Sequence, residues 1–111
     1  MNSNKIKALL GFCQKSGNLK SGTENVVKSI ITNKAKLIFL ATDTAINTRK
    51  KINDKANFYG VDIISIFTVD EISNIVGKNN RVAVAIIDKG FAASIKKILA
   101  DNEEVSINAK S

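Results

Sequence analysis

Apolar residues return along this chain with two different periods, and the alternation between them outlines an architecture. Ile6, Leu9, Leu10 and Cys13 stand at i, i+3, i+4 and i+7, the spacing of an amphipathic helix. That face makes Cys13 a small buried hydrophobe rather than a nucleophile. Ser16-Gly17-Asn18 reads as a glycine stop, followed by a short extended piece, Leu19-Lys20-Ser21. Val26, Val27, Ile30 and Ile31 form a second helical stripe, and Ser21-Gly22-Thr23-Glu24 has the S-x-x-E spacing of a capping box to open it. Leu37 to Ala41 is a continuous apolar run of strand length, buried on both faces. Thr42-Asp43-Thr44 breaks the run and is expected to cap a helix from about Ala45 to Tyr59. On that helix Ile52, Ala56 and Tyr59 face inward, and Arg49, Lys50, Lys51 and Lys55 outward.

The second half repeats the alternation. Val61 to Phe67 reads as a strand, and Thr68-Val69-Asp70-Glu71 as a capping box for a short helix with Ile72, Ile75 and Val76 inward and Gly77 as its stop. Lys78-Asn79-Asn80 is a polar loop before a third apolar strand, Arg81 to Ile87. Asp88-Lys89-Gly90 then starts a last helix carrying Phe91, Ile95, Ile98 and Leu99. Strands alternating with helices of about 10–15 residues predict an α/β fold of the three-layer α/β/α sandwich type. One domain is expected over residues 1–102, with a polar, fraying tail over 103–111.

Composition narrows the function. With 44% hydrophobic and 24% charged residues the 111-residue chain is of ordinary globular make-up. There is no apolar run of the roughly 20 residues that span a bilayer, and no signal-peptide core, so a cytoplasmic protein without a membrane partner is expected. Histidine is absent and cysteine occurs once, which excludes His-based catalysis and a structural zinc site. Trp is absent and Phe and Tyr total six, which argues against a surface of stacking platforms for single strands.

Charge points to the partner. The chain carries +7 with a pI of about 9.7. Residues 1–60 hold eleven basic groups against three acidic, and residues 61–111 six against seven, so all of the excess lies in the first half. A nucleic acid is the anionic partner this favours, a solvated basic surface being the plainer alternative.

Three segments are candidates for that contact. In Lys20-Ser21-Gly22-Thr23-Glu24-Asn25-Val26-Val27-Lys28, a glycine precedes a helix start whose free N–H groups face an anion or a base edge. Glu24 and Asn25 are able to pair with base edges and Lys28 with a phosphate. From the residues alone, a capped helix start with exposed polar groups is a sufficient account. The second segment, Asn47-Thr48-Arg49-Lys50-Lys51, puts three cations near a helix start, against the dipole, which an anionic partner would offset. Arg49 is its best candidate for a bidentate phosphate contact. The third, Gly77-Lys78-Asn79-Asn80-Arg81, fits a phosphate contact and a solvated turn equally. No nucleotide-binding glycine fingerprint follows any strand, and Asp43 and Asp88, which do follow strands, stand where helix caps belong.

The run Gly17 to Ile30, followed by Lys34 to Asp43, resembles the ribosomal-protein family of L-seven-Ae and L-thirty-e, within it the bacterial YlxQ-like branch. The likeness continues through Asn47 to Lys51, Gly77-Lys78 and Val82 to Ala92, and covers roughly residues 5–100. The resemblance implies a sandwich about a mixed four-stranded sheet that binds structured RNA, in many members a kink-turn. The family's RNA-reading run is Gly-x-Asn-Glu-x-x-Lys. Here its glycine falls on Gly22 and its lysine on Lys28, while Glu24 and Asn25 stand in the reverse order. That exchange trades an acceptor-only group for one with donors and acceptors. The loop that in kink-turn binders offers apolar side chains to an extruded base is here polar and basic.

The expected function is therefore binding of structured RNA, ribosomal or kink-turn-like, by a protein that is not an enzyme and needs no cofactor, metal or small-molecule substrate. The ribosome or its proteins are further partners. Gly22, Thr23, Glu24, Asn25 and Lys28 would read the RNA. Lys20, Lys34, Lys36, Asn47, Thr48, Arg49, Lys50, Lys51, Lys78 and Arg81 would flank it. The rival is a ribosome-associated protein-interaction module of the same fold without RNA recognition.

Overall fold

In the computed structural model, which describes residues 3–101, the elements run α1 (Ser3–Lys15), β1 (Leu19–Ser21), α2 (Thr23–Ile31), β2 (Leu37–Leu40), α3 (Ile46–Tyr59), β3 (Ile63–Ile64), α4 (Val69–Val76), β4 (Ala83–Ile86) and α5 (Lys89–Ala100). The expected tail falls outside the described residues. The four strands form one mixed sheet in the order β1-β4-β2-β3, with β4 antiparallel to both β1 and β2 and β3 parallel to β2.

Alternate strand residues feed two cores, one on each face of the sheet. Leu37, Phe39, Ile64, Val84 and Ile86 join Ile6, Leu10 and Cys13 of α1, Ile72 and Val76 of α4, and Ile95 and Leu99 of α5. Ile38, Leu40, Ile63, Ala83 and Ala85 join Val26 and Ile30 of α2 and Ile52 and Ala56 of α3. A strand covered on both faces has no polar side to show, which is why β2 and β4 read as continuous apolar runs. Burial pushes the Cys13 thiol up to about 11, with Asp88 adding to the effect, so the thiol is held protonated in the core.

Several boundaries differ from the sequence expectations. The strand expected over Val61–Phe67 pairs only at Ile63 and Ile64, because Ser65 Oγ donates to Leu40 O (2.7 Å) where a ladder N–H would continue. The strand expected from Arg81 begins at Ala83, since the Arg81 N–H donates to Ser73 Oγ of α4 (2.9 Å). On α2, Ile31 is exposed and Ser29 is buried, its hydroxyl donating to Val26 O (2.7 Å).

Helix entry separates the two layers. At α4 the Thr68 hydroxyl accepts from Glu71 N–H and the Glu71 carboxylate accepts from Thr68 N–H, the expected capping box. The Thr68 N–H, with help from Lys7, holds Glu71 below the usual carboxylate range. Its stabilising contribution is complete above the unfolded pKa of about 4.3 and is lost as pH falls through the lower folded value. Thr68→Ala is expected to lower unfolding free energy by about 1 kcal/mol in urea melts. Asp88 caps α5 by accepting from Phe91 N–H (2.9 Å). The capping box expected at Ser21–Glu24 does not form: the N-cap of α2 is Gly22, with no side-chain cap. Nor does Thr42-Asp43-Thr44 cap α3, whose N-cap is Ala45. Asp43 instead accepts from Val69 N–H (2.8 Å), so it caps α4 across the fold. No helix among the described residues is long and apolar enough to cross a membrane.

Candidate functional site

The sheet register gathers the three candidate segments at one end. Ser21 pairs with Val84 and Leu40 with Ala83, so the C-terminal ends of β1 and β2 meet the N-terminal end of β4. The helix starts of α2 and α3, and the loop 77–82, all emerge there. Two backbone bonds stitch them together, and a third closes the turn at Gly22. Gly22 N–H donates to Ala83 O (3.0 Å), Ala41 N–H donates to Val82 O (2.8 Å), and Val26 N–H closes the first turn of α2 on Gly22 O (2.9 Å).

Gly22 is glycine for a conformational reason. Its φ of 93° and ψ of 149° lie in a region that only glycine populates freely. A Cβ there would stand 4.0 Å from Arg81 Cδ, ordinary contact, so the demand comes from the backbone and not from crowding.

Around this turn lie two adjoining hollows. One is a shallow depression of about 350 Å³ formed by Ser21, Gly22, Thr23, Glu24, Asn25 and Arg81. The other is a cleft of about 200 Å³ along α2, lined by Lys20, Asn25, Lys28, Ser29, Thr32 and Lys34. Asn25 borders both, and its Nδ2 donates to Ser21 O (3.1 Å), which leaves Oδ1 as an acceptor beside the acceptor-only Glu24 carboxylate. The ion pairs among the described residues are Lys7–Glu71 and Lys96–Asp62, so Lys20, Lys28, Lys34 and Arg81 have no carboxylate partner there. The arrangement offers acceptors and backbone N–H groups at the mouth of α2, and three unneutralised ammonium groups along its flank.

Eight of the expected residues therefore share one surface: Lys20, Gly22, Thr23, Glu24, Asn25, Lys28, Lys34 and Arg81. Ser29 and Thr32 also line the cleft, and nothing local marks them, Ser29 standing as a plain helix residue between Lys28 and Ile30. Lys36, Asn47, Thr48, Lys50 and Lys78 line neither hollow, and Lys51 lines a separate one on α3 with Phe58. Arg49 is turned inward: its Nη2 donates to Ala41 O (2.6 Å) and Thr42 O (3.2 Å), tying α3 to the end of β2. Arg49→Ala is expected to cost about 1–2 kcal/mol in thermal melts, whereas Lys50→Ala, on an exposed side chain, stays within about 0.5 kcal/mol. Among the described residues no group of three or more metal-ligating side chains is placed to hold an ion.

The fold is a mixed four-stranded sheet between two helical layers, with a glycine turn opening α2 at the candidate site. The chain belongs to the ribosomal protein L7Ae/L30e/S12e/Gadd45 family, whose model matches residues 4–96. Among individual proteins it is similar to RNA-binding protein YlxQ of Enterococcus faecium, 36% identical over 98 residues, covering 88% of this chain and 94% of that one. The YlxQ protein of Bacillus subtilis is 36% identical over 91 residues, covering 82% and 91%. A solved structure of a protein of unknown function from Bacillus halodurans superposes with a TM-score of 0.80 at 29% identity, over 85% of this chain and 95% of that one. The Giardia lamblia 15.5kD RNA binding protein shares the fold, with a TM-score of 0.78 at 16% identity over 94% and 89%.

Proposed function

We propose that the protein binds structured RNA, ribosomal or kink-turn-like, across the surface where the two hollows meet. The observation that carries this reading is the continuity at Asn25 of an open polar depression with a cleft holding Lys20, Lys28 and Lys34. In it, Glu24, Asn25 and Arg81 face base edges, and the lysines hold phosphates. The two YlxQ relatives, named as RNA-binding proteins, support it. The function is recognition and not catalysis: Asp43 and Asp88, the carboxylates at strand ends, are both held as helix caps. The reading places the protein in the cytoplasm, with the ribosome and its proteins as neighbours.

The test is a titration at two salt concentrations against a kink-turn RNA and a copy with its G·A pairs destroyed. Tighter binding to the intact turn is the expected result. Equal, salt-sensitive binding to both would make the protein a backbone binder of another structured RNA. Absence of binding to either would leave a different RNA or the protein-interaction reading, and a pull-down from cells would decide between them.

A further inference from the structure

Phe58 is 82% exposed, on the last turn of α3, and contributes nothing to either core. A lone exposed ring is ordinary on a protein surface. This one is not alone. Tyr59, half-buried against the α2–α3 core, places its ring centroid 5.1 Å from that of Phe58, with the planes 67° apart. The two rings touch edge to face and together line one side of a surface notch, with most of Phe58 open to solvent. Lys55 and Lys51 lie one and two turns back along the helix and line the same hollow, of about 430 Å³, with Asp54.

We infer that this notch takes a single unstacked base of the bound RNA. Phe58 stacks on the base, Tyr59 closes its edge, and Lys51 and Lys55 hold the flanking phosphates. The inference rests on the RNA reading above and extends it to a second contact. A nucleotide is the occupant favoured because a flat aromatic face and two cations are what a base and its backbone require together. An apolar peptide side chain would use the ring and leave both ammonium groups idle. Position agrees as well. α2 and α3 pack side by side on one face of the sheet and start at the same end, so the notch lies one helix length from the Gly22–Asn25 depression. The 14 residues of α3 span about 21 Å, the length of about six stacked nucleotides. A strand leaving the depression along this layer reaches the notch.

The chain has no Trp, so Phe58→Trp introduces a single indole reporter at an exposed position. It would be titrated with octaadenylate and with an octamer of abasic ribose phosphates of equal charge. Binding of a kink-turn RNA would be followed separately by anisotropy. Saturable quenching by octaadenylate, with the abasic octamer at least about fivefold weaker, is the expected result. Phe58→Ala should weaken octaadenylate binding by about fivefold or more at an unchanged melting midpoint. No quenching, or equal quenching by the abasic octamer, overturns the notch; if the kink-turn RNA still binds, the RNA reading stands and the aromatic pair is left to a protein partner. Quenching without kink-turn binding would keep the notch as a single-strand site and remove the kink-turn reading.

Discussion

Replacing Lys20, Lys28 and Lys34 together by alanine is expected to lower affinity for the kink-turn RNA by on the order of 100-fold at 0.1 M monovalent salt. The magnitude follows from counterion release. Each phosphate neutralised contributes about 0.7–0.9 to the slope of log K against log salt, so three lost contacts flatten it by about 2 or more. The three lysines line a single cleft and have no carboxylate partner among the described residues, so no ion pair is broken by their removal and the fold should be unaffected. The control is Lys5, Lys15 and Lys97 to alanine, which removes the same charge from exposed positions on the opposite helical layer. If both triple variants lose affinity equally, the attraction is that of net charge alone and the cleft is not the phosphate track. A preserved slope in the first variant would move the footprint away from α2 altogether.

Gly22→Ala is expected to cost about 1–3 kcal/mol of stability and to weaken RNA binding beyond that of any single lysine variant. Alanine has no low-energy conformation near φ 93°, ψ 149°. The turn would have to re-form, and its three anchors would move with it: the bond to Ala83, the first turn of α2 and the packing of Arg81. Gly11→Ala supplies the comparison. It lies inside α1 with nothing within 4 Å of a new Cβ, and should stabilise the protein by about 0.5–1 kcal/mol. Urea melts of the two variants, read beside their RNA titrations, separate backbone strain from loss of a contact. A Gly22→Ala protein as stable as the parent would mean the turn relaxes freely and does not position the site.

The caps show where local sequence is enough and where it is not. Thr68-x-x-Glu71 and Ser21-x-x-Glu24 have the same spacing, yet only the first forms its box. At Thr68 the chain enters the helix from an extended N-cap and both side chains reach back. At Ser21 the residue is still in β1, paired with Val84, and the helix begins one residue later on a glycine. Pairing with β4, more than 60 residues on in the chain, therefore decides that the mouth of α2 has no side-chain cap. Asp43 makes the same point, since its partner is Val69 and not the helix that follows it. Arg49 reads as one of three outward cations, and only the fold shows that two carbonyls at the end of β2 hold its guanidinium. Phe58 stands off the inward stripe of Ile52, Ala56 and Tyr59, which marks it as exposed, but no local pattern says that its ring meets that of Tyr59 beside two lysines.

Element order, the two-sided burial of β2 and β4, the buried thiol, the basic first half and the run from Gly22 to Lys28 with its polar side chains are all legible in the chain itself. Each of these rests on periodicity, composition or a local turn, and those are written into neighbouring residues. That Lys34 and Arg81 join that run, that Arg49 turns inward and that an aromatic notch stands on α3 emerge once the chain is folded. These depend on strand register and helix packing, which bring together groups far apart in the chain, and no local pattern records them.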